Sequence, residues 1–116
     1  MTQPVGIFKG VIVDTQSLAT LVPFYEMLFG PPKFIDGYRW AAMGSPGAAA
    51  LNLAAGTECT GKGIVFAVKV DDLAAATRRI TAAGGQALGE PKTGPHEVTC
   101  LFSDPAGHTL AIYQAR

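Results

Sequence analysis

The chain presents the same succession of predicted elements twice. An alternating apolar strand at 7–13 is followed by a helix with apolar residues at helical spacing and then by three short strands. The second half repeats this order, with a strand at 64–70, a helix at 73–83 and three further strands. The repeat predicts an α+β domain made of two tandem βαβββ modules, at about 5–55 and about 63–115. The alternative is an α+β domain in which the symmetry is accidental.

Turn and capping residues mark the ends of these elements. Pro23 predicts that the first helix begins after Thr20 as N-cap, which places the proline in the first turn. Asp72 is the predicted N-cap of the second helix. Turns are predicted at Asp36-Gly37, Ser45-Pro46-Gly47 and Asp104-Pro105-Ala106-Gly107. The remaining strands are predicted at 33–35, 38–43, 48–53, 86–88, 98–103 and 108–114.

Length and charge limit the kind of protein that this chain can be. Its 116 residues predict one domain, 1–116, and nine basic and nine acidic residues give a net charge of zero. This balance excludes the basic surface of a nucleic-acid-binding protein. Cys59 and Cys100 form no CxxC pair, which favours free thiols and a cytoplasmic location. We expect no membrane partner, since the longest apolar segment, 18–29, is interrupted by Pro23.

Short motifs in the predicted order add a family resemblance that covers nearly the whole chain. Phe24-Tyr25 and Leu28-Phe29-Gly30 lie in the first helix, Val70-Asp71-Asp72-Leu73 opens the second, and Asp104-Pro105-x-Gly107 precedes the last strand. This set resembles the vicinal oxygen chelate superfamily, which includes glyoxalase I, extradiol dioxygenases, methylmalonyl-CoA epimerase and the bleomycin resistance proteins. The resemblance implies an open eight-stranded half-barrel with the helices on its convex face, and a homodimer.

The same resemblance implies where a divalent metal would be held on the concave face. In metal-using members four strands each supply a His, Gln or Glu ligand, and by spacing these positions fall on Gly10, Leu51, Val65 and Ala111. None of the four carries a donor atom for a first-row divalent metal. A shift of one residue would bring Lys9, Asn52, Phe66 or Ile112 instead, which is still not a metal site. We therefore predict no metal and no cofactor.

Strand alternation predicts which side chains line the concave face. If both hairpins are regular, Phe102 lies opposite Thr109, Cys100 opposite Ala111, and Val98 opposite Tyr113. The same treatment pairs Trp40 with Leu51 and Tyr38 with Leu53. The predicted lining is Phe8, Gly10, Ile12, Tyr38, Trp40, Leu51, Val65, Lys69, Val98, Cys100, Phe102 and Tyr113. The predicted helix-backed core is Val11, Val13, Val68, Val70, Leu101, Leu110 and Ile112.

An apolar, aromatic lining with few polar groups is typical of a small-molecule site. We therefore expect metal-independent binding of an apolar or aromatic small molecule, similar to the bleomycin resistance type of binder. A lyase, isomerase or oxygenase that uses Lys69 or Tyr113 as acid or base is the alternative from another class. In a third reading the protein's own side chains fill the half-barrel or pack in the dimer interface. His96 and His108 are expected to be loop or turn residues rather than catalytic bases.

Overall fold

The computed structural model describes residues 3–45 and 47–116, so Pro46 of the predicted Ser45-Pro46-Gly47 turn lies outside the described residues. Two helices and nine strands occur in these ranges, which confirms the α+β class. The strands are β1 (Ile7–Thr15), β2 (Phe34–Asp36), β3 (Trp40–Met43), β4 (Ala50–Ala55), β5 (Ile64–Lys69), β6 (Gln86–Ala87), β7 (Lys92–Thr93), β8 (Glu97–Ser103) and β9 (Thr109–Ala115). The helices are α1 (Leu18–Phe29) and α2 (Leu73–Ala82), and Gly56–Glu58 forms one 3₁₀ turn. The two-residue strand β7 was not predicted.

The helix starts follow from their capping residues. Ser17, not Thr20, is the N-cap of α1, because its hydroxyl accepts a hydrogen bond from the backbone N–H of Thr20. The prediction for Thr20 is therefore wrong, and Pro23 lies inside the helix. The cap satisfies an otherwise unpaired N–H of the first turn. The helix continues through Pro23, although proline supplies no backbone donor. Asp72 caps α2 as predicted, with its carboxylate accepting from the N–H of Ala75.

The described chain forms two compact units. The N-terminal unit is Gly10–Val65, and the C-terminal unit combines the described residues up to Lys9 with Phe66–Arg116. The first segment is held in the C-terminal unit by the guanidinium of Arg79, which donates to the carbonyl of Gln3 at 2.7 Å. No helix in the described part of the chain is long and apolar enough to cross a membrane.

The N-terminal unit packs α1 against one face of its strands, which lie in the order β2-β3-β4-β1. β1 and β4 run parallel, and the other neighbouring pairs are antiparallel. We call the side toward the helix the helix face. The other side, which corresponds to the predicted concave face, is the far face. The residues that form the buried core with α1 are Leu18, Ala41, Met43, Leu53 and Ala55, flanked by Val13, Leu21, Val22, Tyr25 and Leu51.

The C-terminal unit repeats this plan with α2. Its strands lie in the order β5-β9-β8-β6, and β7 also pairs with β8. The buried core on its helix face is Val70, Leu73, Ala76, Cys100, Phe102 and Ile112, flanked by Val5, Val68, Ile80, Val98 and Leu110. Each unit thus has one face that is covered by its own helix and one that is not, as expected for a sheet packed on a single layer of helix.

Gly10 marks the place where β1 comes closest to β4. Its φ is +122°, and a Cβ added there would lie 1.9 Å from the carbonyl oxygen of Ala50. No side chain fits at that distance, so the absence of a Cβ is required by the backbone of the neighbouring strand. The amide of Asn52 then donates to the carbonyl of Val11 at 3.1 Å, one residue beyond the close approach.

Gly10→Ala should lower the free energy of unfolding by about 3 kcal/mol or more, because the new carbon must displace the backbone at Ala50. Gly37→Ala is the matched control: Gly37 also has a positive φ, but nothing lies within 4 Å of its added carbon. Its expected cost is about 1 kcal/mol. Urea unfolding measures the stability of both variants. Equal losses of unfolding free energy in the two would contradict the close approach of Gly10 to Ala50.

Candidate functional site

The register between β8 and β9 differs from the predicted one by a single residue. Thr109 lies opposite Ser103, and Ala111 lies opposite Leu101 rather than Cys100. Tyr113 lies opposite Thr99 rather than Val98. Because side chains alternate between the two faces of a strand, this shift exchanges the predicted faces of β8.

The cause of the shift is the loop that joins the two strands. Asp104 and His108 close it through the Asp104 N–H, which donates to the His108 carbonyl at 2.9 Å. Three residues therefore lie in the loop, and the last of them, Gly107, has φ +96°. The Asp104 carboxylate accepts from the N–H groups of Ala106 and His108 at 2.8 and 2.9 Å. A three-residue loop with glycine in the left-handed region is a standard hairpin type, whereas the predicted pairing requires a two-residue loop.

Three predicted lining residues consequently lie on the helix face. Cys100 and Phe102 are buried against α2, and Val98 packs beside them. Their placement on the concave face was wrong, as was the placement of Leu101 in the core. Burial, and then the negative charge of Glu90, raise the pKa of the Cys100 thiol, so this cysteine stays protonated and unreactive.

The hairpin of β3 and β4 also has a different register from the predicted one. Trp40 lies opposite Ala54 rather than Leu51, and Leu51 lies opposite Met43 on the helix face. The connection from Gly44 to Ala49 is longer than a tight turn, which accounts for the shift. Tyr38 pairs with no strand residue: it lies in the turn before β3 and is 88% exposed. The predicted places of Leu51 and Tyr38 on the far face are therefore wrong.

Asn52 takes the place on the far face that was predicted for Leu51. It is level with Ile12 of β1 and with Ala42 of β3, and it is buried. Ile12 and Trp40 share this face, as predicted, and Trp40 is half-buried. Of the other predicted residues on β1, Phe8 is exposed and belongs to the C-terminal unit, and Gly10 is explained by its contact with Ala50.

The far face of the C-terminal unit carries small aliphatic residues next to polar ones. Ala67 and Ala111 lie in one row with Leu101, and Lys69 and Tyr113 lie in the next row with Thr99. Lys69 and Tyr113 were predicted here, whereas Thr99 and Leu101 were missed because of the register. Val65, also predicted, is the last residue of the N-terminal unit. Their roles in ligand binding stay predictions.

Tyr113 is a hydrogen-bond donor rather than a base at neutral pH. Burial of its ring, and then the negative charge of Glu97, raise the pKa of its phenol above the ordinary value near 10. A phenol that keeps its proton can donate to a ligand oxygen or act as an acid. It cannot remove a proton from a substrate without first losing its own.

The positions that hold metal in the superfamily do not fit a metal here. Val65 and Ala111 are each 1% exposed and wholly aliphatic, and Gly10 has no side chain. The corrected position in β4 is Asn52, whose amide nitrogen is bonded to Val11, so a single amide oxygen is the one donor that it could offer. Within residues 3–45 and 47–116, no group of three or more His, Cys, Asp and Glu side chains could hold a metal ion.

Asp14, at the end of β1, fixes the connection that leads into β5. Its carboxylate accepts from the N–H groups of Thr60, Gly61 and Gly63 at 2.7, 2.8 and 3.2 Å, and from the Thr60 hydroxyl. Burial alone raises the pKa of Asp14, but these hydrogen bonds outweigh it and hold the pKa below its ordinary value. The charged carboxylate thus orders the segment 60–63.

The comparisons with known proteins agree with this architecture. The sequence profile of the glyoxalase-like domain matches residues 10–113, and the chain therefore belongs to the glyoxalase-like domain family. An uncharacterized protein of Mycolicibacterium smegmatis (strain ATCC 700084 / mc(2)155) is 35% identical over 107 residues, which cover 90% of each chain.

Solved structures share this fold and, together with the family match, agree with the resemblance. Methylmalonyl-CoA epimerase from Mycobacterium tuberculosis matches with a TM-score of 0.70 at 20% identity, covering 100% of this chain and 93% of that one. A superfamily member from Vibrio splendidus 12B01 matches with a TM-score of 0.62 at 16% identity, covering 90% and 96%. At these identities the likeness shows the fold alone.

Asp14→Asn should lower the free energy of unfolding at pH 7 by about 1–3 kcal/mol, because it removes charge-assisted hydrogen bonds. The folded-state pKa of Asp14 is depressed. Its contribution is therefore complete above about pH 4, and it is lost as the pH falls through the lowered pKa.

The difference between wild type and Asp14→Asn should accordingly shrink below about pH 4. Urea unfolding between pH 7 and pH 3 measures it. Asp71→Asn, at an exposed acidic residue, is the control and should cost little at any pH. A difference that stays constant down to pH 3 would contradict the role of the Asp14 charge.

Proposed function

We propose that this chain binds an apolar, ring-containing small molecule without a metal ion, on the far face of its C-terminal unit. The observation that carries the proposal is that Leu101, a half-buried aliphatic residue whose row partners Ala67 and Ala111 are buried, lies beside a row that contains Lys69 and Tyr113. Ligand sites are mostly apolar with a small number of polar groups that fix orientation, and this face has that composition.

The donor chemistry of the family's metal positions supports metal independence. A divalent ion needs imidazole, carboxylate or thiolate ligands, and the aliphatic side chains of Val65 and Ala111 offer none. Binding energy would instead come from apolar contact and from hydrogen bonds to neutral or cationic donors.

An enzymatic function of the same face is the second candidate, favoured by the raised pKa of Tyr113. A protonated phenol beside a substrate is a plausible general acid for a lyase or isomerase. One structural neighbour is a methylmalonyl-CoA epimerase, at a level of likeness that speaks for the fold only. Binding requires fewer assumptions, since it does not require a base on this face.

A homodimer formed through the outer side of α1 completes the proposal. Phe24, Met27 and Leu28 are each more than half exposed on this helix, and Phe34 and Ile35 of the neighbouring edge strand β2 are too. A cluster of exposed apolar side chains of this kind marks an interaction surface. A second copy is the favoured occupant because the net charge of zero leaves no overall repulsion between copies. A cytoplasmic location is supported by the two free thiols, Cys59 and Cys100.

The neutral probe N-phenyl-1-naphthylamine should bind with a stoichiometry near one per chain, and its affinity should be the same with and without a chelator such as EDTA. Leu101→Asn should weaken binding about tenfold by replacing aliphatic surface with an amide of similar size. Ile64→Asn, at an exposed aliphatic residue of the N-terminal unit, is the control. Fluorescence titration measures all three, and loss of binding in EDTA would contradict metal independence.

Sedimentation tests the dimer. The wild-type chain should sediment at about twice its mass of 12.1 kDa at micromolar concentration. Met27→Glu should give monomers, because it places a charge in the proposed contact. Ile64→Glu, at an exposed apolar residue outside α1, should remain dimeric. A monomeric wild type would refute the proposal.

A further inference from the structure

Polar side chains of the C-terminal unit form a single row across neighbouring strands. Lys69 of β5 is level with Tyr113 of β9, and Tyr113 is level with Thr99 of β8. Residues in register on adjacent strands project to the same face, here the far face. Strands lie about 4.8 Å apart, so the row spans about 10 Å from the first residue to the third. All three side chains end in hydrogen-bond donors.

These donors are not used within the protein. In residues 3–45 and 47–116, neither the Lys69 ammonium nor the hydroxyls of Tyr113 and Thr99 form a hydrogen bond or ion pair. In those same ranges no buried side-chain nitrogen or oxygen atom lacks a partner. The three donor atoms must therefore be accessible to solvent, although their residues are half-buried. The row is extended by Lys92 of β7, which has an interaction of its own.

Lys69 differs from the other cations of the chain. Arg39 pairs with Asp36, Arg79 donates to Gln3, and Arg116 donates to the carbonyl of Gly94. Lys62 likewise makes no side-chain bond within the described residues, but it is exposed, as a solvated lysine is expected to be. A half-buried lysine whose ammonium has no protein partner is less common than an exposed one.

Glu97 shares the face of this row and its charge helps to raise the pKa of Tyr113, but no carboxylate pairs with Lys69 among the described residues. Glu97 lies on the same face of β8, but its Oε1 lies beside Gly94, where an added Cβ would be only 2.8 Å away. Asp72 uses its carboxylate to cap α2, and Asp71 is exposed. The ammonium of Lys69 therefore has no carboxylate of its own, and an anion from outside could take that place.

The position of Lys69 is fixed by its backbone. The N–H of Val70 donates to the carbonyl of Tyr113 at 2.8 Å, which locks β5 against β9 at this level. A Cβ added to Gly6 would lie 2.2 Å from the Lys69 carbonyl. The backbone at Gly6, in the segment before β1, therefore packs closely against the backbone of Lys69. A side chain held at its root loses less freedom when a ligand binds, and this favours affinity.

We infer that the row of Lys69, Tyr113 and Thr99 binds the anionic group of the ligand, whose apolar body packs on Leu101, the accessible member of the neighbouring row. The ligand class is then an apolar or aromatic molecule that bears a carboxylate, sulfonate or phosphate. This inference rests on the proposed function, since it names the kind of molecule that the same face takes. An ammonium and hydroxyl donors together recognise such a group through charge-assisted hydrogen bonds.

Two fluorescent probes separate the anion from the ring system. 8-Anilinonaphthalene-1-sulfonate and N-phenyl-1-naphthylamine share their rings, and only the first carries a sulfonate. The wild-type chain should bind the sulfonate about tenfold more tightly. Lys69→Met should remove this preference, measured as the ratio of the two affinities, because it keeps the apolar stem and removes the charge. Lys69→Arg should retain most of the preference, and the exposed-lysine control Lys62→Met should change neither affinity.

Each result decides between the two proposals. Equal binding of both probes by wild type, or a preference that persists in Lys69→Met, would overturn the anion site and leave the proposed function standing. Failure of both probes to bind would overturn both proposals. Thermal unfolding of Lys69→Met and Lys69→Arg checks that each variant is folded. As a second test, Tyr113→Phe should lower the affinity for the sulfonate probe about threefold.

Discussion

The carboxylate of Asp104 determines which side chains of β8 and β9 point away from α2. By accepting the N–H groups of Ala106 and His108, it stabilises a loop of three residues, and Gly107 supplies the left-handed conformation that such a loop needs. A loop one residue shorter would turn Cys100 toward the far face and Leu101 toward the helix. The composition of the candidate site therefore depends on a few hydrogen bonds in an exposed turn.

The far face that results is poor in metal ligands and rich in hydrogen-bond donors. Val65 and Ala111 are buried aliphatic residues at two positions where metal-using members of the superfamily are expected to carry ligands. Lys69 and Tyr113 project from the same strands, one level beyond Ala67 and Ala111. Within the described residues no carboxylate pairs with Lys69, and donors without such a partner suit a negatively charged ligand and disfavour a cation.

Local signals in the sequence were sufficient for the elements, but not for their pairing. Alternation, the Asp72 cap and the turn residues predicted the α+β class, the second helix and most strands, because each depends on neighbouring residues. Which face a side chain takes depends on whether the loop has an odd or an even number of residues. An error of one residue in the loop length misplaced Cys100 and Phe102. Asp104 followed three residues later by Gly107 is a signal that could have corrected this error. The connection before β4 carries no comparable signal, and Asn52 was missed for that reason.

The central claim is that the far face of the C-terminal unit takes a small anionic, apolar molecule without a metal. Native mass spectrometry of the protein purified from its own host tests this most directly, because it weighs chain, metal and ligand together. We predict an added mass that corresponds to an organic anion, released as such on denaturation, with no divalent metal in stoichiometric amount. A stoichiometric divalent metal that is retained together with the bound molecule would contradict the account.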